Sequence, residues 1–185
     1  MIAKIFVVIF VIFLPLQVMG ASDGTLGATS TGVINISLTL NTVVQITNVK
    51  DVNLTYVSGT NSGDLEYVSD LCIYTNNPSG RYRITMISQN ALGTKGRVIN
   101  TDTGLSPLSY EATWFTNAQA TGSSVHTLQS GVPTATLTGA HTTSNNCDNG
   151  ANNTASIKFK FLESDLLATP GGNYNDVITI VVSPI

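Results

Sequence analysis

Apolar and polar residues alternate with period two in several short stretches of this chain, and no long stretch shows the 3.6-residue period of a helix. The most regular run is residues 32–40, G-V-I-N-I-S-L-T-L. Ile34, Ile36, Leu38 and Leu40 share one face, and Asn35, Ser37 and Thr39 share the other. Successive side chains of a strand point to opposite faces, so this run predicts a strand with one apolar face to bury. Similar patterning predicts strands at 42–48, 51–57, 71–76, 81–88, 155–162 and 176–183. In 81–88, Tyr82, Ile84, Met86 and Ser88 oppose Arg81, Arg83, Thr85 and Ile87. In 155–162, Ile157, Phe159 and Phe161 oppose Ser156, Lys158 and Lys160, and in the last run Ile178, Ile180 and Val182 share a face. Weaker runs lie at 110–115, 124–128 and 134–138. Between them stand a loop at 58–63, a polar loop at 139–153, and a short helical turn at 164–167 before Thr169-Pro170-Gly171-Gly172. Asn77-Pro78-Ser79-Gly80 has the residues of a tight turn and predicts a hairpin joining 71–76 to 81–88. Many short strands separated by Gly, Asn, Ser and Pro are the pattern of an all-β sandwich or barrel.

The first twenty residues have a different character. Lys4 precedes an apolar run at 5–14, then Pro15, then Val18-Met19-Gly20-Ala21. A charged start, a short apolar segment and a small-residue zone make up a secretory signal peptide. Spanning a bilayer takes about 20 apolar residues, more than this run holds. The expectation is therefore export, with cleavage after Gly20 or Ala21 and no cysteine nearby to carry a lipid. What remains is the length of one domain with a hydrophobic core of its own. Residues 22–31, S-D-G-T-L-G-A-T-S-T, are small and polar and are expected to be mobile alone. No strand is predicted after 176–183, which favours a sheet that is incomplete at its end.

Charged residues make up 10% of the chain, against about 25% in ordinary domains, and the net charge is −3. An acidic chain without basic clusters argues against nucleic acid as a partner. Cys72 and Cys147 are the only cysteines. In an exported protein an even count points to a disulfide, here across about 75 residues, which a chain-entropy model values at roughly 4 kcal/mol. Two buried thiols are the alternative.

Catalytic chemistry is hard to find. His126 and His141 stand apart from each other and from the cysteines, so both read as solvated loop residues rather than metal ligands or bases. Asp64, Glu66 and Asp70 gather near the 58–63 loop but lack the alternate-oxygen spacing of a calcium loop. No catalytic residue, metal site or cofactor is assigned, and the chain is read as non-enzymatic. Tyr110, Trp114 and Phe115 are candidates either for a sugar-stacking surface or for the core, with the core favoured because aromatics mostly supply buried area.

Two segments together resemble a known family. Thr31-Gly32-Val33-Ile34-Asn35-Ile36-Ser37-Leu38-Thr39-Leu40 resembles the N-terminal donor segment of archaic (Csu-type) chaperone–usher pilins. Leu166-Leu167-Ala168-Thr169-Pro170-Gly171-Gly172-Asn173-Tyr174-Asn175-Asp176-Val177-Ile178-Thr179-Ile180-Val181-Val182 resembles their closing motif, in which a Gly-containing turn and Tyr-x-Asp lead into an alternating last strand. The family is similar to the spore coat protein U domain group. Members often carry a Cys just after the donor segment, whereas this chain has Asn41-Thr42-Val43-Val44 there. The resemblance implies an incomplete immunoglobulin-like β-sandwich at 42–185, completed by a donor strand from the 21–41 segment of a neighbouring subunit. It implies a donor-strand interface made by Ile34, Ile36, Leu38 and Leu40. It also implies identical or related pilin subunits, a periplasmic chaperone and an outer-membrane usher as partners, and a place in a surface fimbria. The alternative is a secreted, monomeric, carbohydrate-binding β-sandwich that uses exposed aromatics.

Overall fold

The computed structural model describes residues 21–121 and 125–185, so the leader expected at 1–20 lies outside the described residues. The chain divides into two compact units, Met1–Leu40 and Asn41–Ile185.

The second unit is built almost wholly of antiparallel strands: β1 (Val44–Thr47), β2 (Leu65–Thr75), β3 (Tyr82–Ser88), β4 (Gly96–Asn100), β5 (Leu108–Phe115), β6 (Val125–Leu128), β7 (Ala155–Phe161), β8 (Tyr174–Asn175) and β9 (Ile178–Pro184). One short helix, α1 (Glu163–Ala168), follows β7. The larger sheet runs β1-β2-β7-β5-β4-β8, and β6 lies beside the second half of β5. The smaller sheet pairs β3 with β9 in the register Ile84↔Val182 and Met86↔Ile180. Isolated bridges from Pro133 to Thr85 and from Leu137 to Tyr82 lay residues 133–137 along the other edge of β3.

The two inner faces meet in an apolar core. Tyr82, Ile84 and Met86 come from β3, Leu71 and Ile73 from β2, Trp114 from β5, and Ile157 and Phe159 from β7. Period two holds where one face is buried: in β3 the buried residues are Tyr82, Ile84, Met86 and Ser88, as the sequence predicts. Trp114 is fully buried and its indole N–H donates to the Tyr82 hydroxyl at 3.3 Å. Burial pushes the Tyr82 phenol up to about 12, so it stays neutral and free to accept that bond. The architecture is an all-β, immunoglobulin-like sandwich.

Several sequence expectations are corrected here. The 77–80 turn does not close a hairpin. It carries the chain from β2 in one sheet to β3 in the other. Gly80 adopts φ 60°, and a Cβ there would lie 2.9 Å from the Ala140 carbonyl, so only glycine fits this crossing. Residues 51–57 alternate but make no strand among the described residues. The weak run at 134–138 contributes only the bridge at Leu137. β2 extends further back than 71–76, which places Glu66 and Asp70 on a strand rather than at a loop end. β4 and β8 were not foreseen. Nor are the histidines solvated loop residues. His126 lies on β6 opposite Trp114, half-buried. His141 is half-buried and bridges to Tyr74, and its Nδ1 accepts the Ser144 N–H at 2.9 Å.

Cys72 and Cys147 form a disulfide with Cα atoms 5.7 Å apart. Cys72 points to the outer face of β2, where the 141–153 loop covers it, and neither cysteine is exposed. To lie there the loop takes four consecutive left-handed residues, Cys147, Asp148, Asn149 and Gly150. The Ser144 hydroxyl accepts the Asp148 N–H, and the Cys147 carbonyl accepts the Asn152 N–H, which satisfies the tightly turned backbone.

Candidate interface: an unpaired strand edge and an apolar stripe

β9 is paired on one side only. Among the described residues β3 is its single ladder partner, and its other edge holds no backbone bridge. Its inward residues Ile178, Ile180 and Val182 pack against the core yet remain only half-buried. The same holds for Val44 and Ile46 of β1 and for Val52 in the unladdered stretch after it, where Leu54 and Tyr56 are also half-buried. A sheet edge presents a row of unpaired amides and carbonyls to which a further strand can pair, and beside this edge the inward side chains are also incompletely covered. β1 and β9 are in contact, and the Asn77 side-chain amide, in the turn after β2, donates to the Ile185 carbonyl just past β9 at 2.8 Å. Further along, a groove of about 830 Å³ opens, lined by Leu54, Tyr56, Phe161, Leu167, Tyr110 and Ile178 among others. The Tyr56 side chain lines it, with the Glu163 carboxylate close to its hydroxyl. Desolvation, and then that carboxylate, raise the phenol's pKa.

The Tyr-x-Asp motif at the groove's end has a clear physical role. Asp176 Oδ2 accepts from the Tyr110 hydroxyl and from Ser88 Oγ, both at 2.6 Å, and Oδ1 accepts the Asn90 N–H at 3.1 Å. One carboxylate thus ties the start of β9 to the end of β3 and to β5. Burial, and then the bond to Asp176, push the Tyr110 pKa far above its ordinary value, so the phenol remains a donor. The Tyr174 hydroxyl donates to the Pro170 carbonyl at 2.7 Å and closes the Gly-containing turn. Sequence reading found the motif but not its partners, since Ser88, Asn90 and Tyr110 are distant in the chain.

In the first unit, Ile34, Ile36, Leu38 and Leu40 are 82%, 90%, 80% and 78% exposed. The run at 32–40 forms no strand there, only an isolated bridge at Val33, so the buried face predicted for it is not provided by this chain as described. Residues 22–33 are not an open tail: Ser22 and Val33 exchange two backbone hydrogen bonds of 3.1 and 3.0 Å that close a loop.

The other candidates are occupied structurally. Lys158 pairs with Glu66 at 3.2 Å, and Lys160 lies 3.3 Å from Asp64 and 3.7 Å from Glu111. Asp64 also accepts the Glu163 N–H at the start of α1. That bond first, and Lys160 second, hold its carboxyl below the usual range. Asp70 accepts the Gln119 N–H. Among the described residues no three His, Cys, Asp or Glu side chains group as metal ligands. Trp114 is wholly buried and Tyr110 and Phe115 are nearly so, which removes the aromatic surface that sugar stacking requires.

Neither a protein-family model nor a curated protein matches the chain. Among solved structures it is similar to a chain of a chaperone–tip adhesin complex described as vital for synergistic activation of CFA/I fimbriae biogenesis. The TM-score is 0.53 at 14% identity, over 78% of this chain and 42% of that one. At that identity the likeness is one of fold, and this chain spans under half of the other's length.

Proposed function

We propose that this protein is a structural subunit of a chaperone–usher fimbria of the archaic (Csu) type, exported through the periplasm to the cell surface. Residues 34–40 of one copy enter the groove of the next as its missing strand. The observation that carries this reading is the match of two unsatisfied surfaces. One is an alternating apolar stripe that this chain leaves exposed, and the other is a strand edge with half-buried inward side chains. Adding a strand to a free edge gains main-chain hydrogen bonds along β9, and alternate side chains enter pockets. Burying Ile34, Ile36, Leu38 and Leu40 would contribute roughly 6–12 kcal/mol as an upper figure. A stripe and a groove that are two different surfaces of one chain make a heterologous contact, which grows a filament when it does not close on itself. A periplasmic chaperone would cover the groove before assembly, and an outer-membrane usher would exchange it for the donor.

The test is Leu38→Asp. An unpaired carboxylate in an apolar groove costs several kcal/mol, so docking fails while the domain, whose core does not include Leu38, folds normally. The expected result is periplasmic subunit bound to its chaperone and no filaments by electron microscopy. Unfolding of the subunit by Leu38→Asp would place the stripe inside its own core and overturn the proposal.

A further inference from the structure

Charge is divided unequally between the two sheets. The chain holds 11 Asp and Glu against 8 Lys and Arg. None of those carboxylates falls within residues 77–88, 130–140 or 177–185, the segments that make up β3, β9 and the strip bridged to the other edge of β3. Arg81 and Arg83 are the only charged side chains in these segments. On the larger sheet, by contrast, Lys158 and Lys160 are already paired with Glu66, Asp64 and Glu111.

We propose that the outer face of the β3–β9 sheet binds an acidic polysaccharide, with Arg81 and Arg83 taking its carboxylates. Alternation turns Tyr82, Ile84 and Met86 into the core and leaves Arg81 and Arg83 exposed on the other side. Side chains two apart on a strand stand about 7 Å apart at their roots. Neither guanidinium makes an ion pair or a hydrogen bond among the described residues, so both keep their donors free. Arg97, in contrast, donates its Nε–H to the Asn90 carbonyl. A free planar guanidinium matches a carboxylate with two parallel hydrogen bonds. Across the ladder Ser183 lies opposite Arg83 and Val181 opposite Thr85. Hydroxyls and a part-exposed valine thus flank the arginines, and they suit the hydroxyls and C–H faces of a sugar.

Nucleic acid suits this face less well. Single strands need aromatic rings on which to stack, and the only aromatic residue of the three segments, Tyr82, is buried. Two cations per copy are also few against the phosphate density of a duplex. One arginine pair binds weakly, because exposed ion pairs are screened by water and salt. Repetition supplies the affinity, and this part rests on the docking reading above. A filament offers one arginine pair per subunit to a polymer that offers one carboxylate per sugar. The docked donor strand would extend the same sheet with Asn35, Ser37 and Thr39 on its outward side, which adds no carboxylate to the face.

The probe is polygalacturonate, with neutral dextran, duplex DNA and phosphatidylglycerol vesicles as comparisons. Each is offered to chaperone-released subunit on beads and to filaments. Wild-type beads should retain polygalacturonate and not dextran, and retention should fall as salt rises. Filaments should bind on the order of a hundredfold tighter than beads. Arg81→Gln with Arg83→Gln should weaken bead binding about tenfold. Lys50→Gln with Lys158→Gln removes the same charge elsewhere and should leave binding unchanged. Arg81→Lys with Arg83→Lys keeps the charge but loses the fork, and should fall between wild type and the glutamine variant. Unshifted thermal melts show that the variants are folded. No retention by wild type, undiminished retention by the glutamine variant, an equal loss in the lysine control, or tighter retention of DNA or vesicles overturns the proposal. Bead binding without filament assembly overturns the docking reading alone and leaves the arginine face standing.

Discussion

At the scale of single residues, Asp176 is the side chain with the most at stake. Asp176→Ala leaves the buried Tyr110 hydroxyl and Ser88 without their acceptor. Hydrogen bonds to a charged group contribute about 1.5–3 kcal/mol each, and their loss is partly shared within one network, so we expect a loss of about 3 kcal/mol in urea unfolding. Asp176→Asn, which keeps acceptor oxygen on one side, should lose less. Asp64 gives a pH-dependent prediction. Its folded pKa is depressed by the Glu163 N–H and by Lys160, so its contribution is present above the unfolded value near 4 and is lost as pH falls through the lower folded value. Asp148 is depressed in the same direction, by Asn152 first and Ser144 second. Stability should therefore decline below about pH 4. The stability difference between wild type and Asp64→Asn should shrink over the same range, as thermal melts at stepped pH would show. None of these partners was legible in the sequence. A carboxylate's neighbours are set by which strands the fold brings together, and Asp176 draws its three from β3, from the turn after it and from β5.

At the scale of elements, the strands that could be read are those with one wet face and one buried face. β3 and β7 show period two because a sandwich demands it of them. β4 was missed because Gly96-Arg97-Val98-Ile99-Asn100 has no such alternation, and its pairing with β5 depends on Gly96, where the absence of a Cβ leaves room for the Tyr110 ring of the facing strand. The turn at 77–80 was legible as a turn but not as a crossing between sheets, because four residues cannot specify which edges the flanking strands will meet. The 141–153 loop was legible as polar but not as the cover over Cys72. Its four left-handed residues are held there by the disulfide. Either Cys→Ser change should cost about 2–5 kcal/mol in equilibrium unfolding, the usual range for a lost native bridge.

At the scale of the whole molecule, the free edge of β9 is the defining feature. In the chaperone-released subunit every second amide of β9 should exchange rapidly with deuterium, since β3 satisfies only one side of the strand. A peptide carrying Ile34, Ile36, Leu38 and Leu40 should slow that exchange, whereas the same peptide with aspartate for Leu38 should leave it fast. The sequence by itself determined the all-β class, the apolar stripe at 34–40, the pair of cysteines and the closing Tyr-x-Asp, because period two, composition and short motifs are local properties. Only the tertiary structure decided which strands share a sheet, that β9 keeps one edge unpaired among the described residues, and that Asp176 anchors it. Those outcomes depend on contacts between residues far apart in the chain, where the core has room for some pairings and not for others.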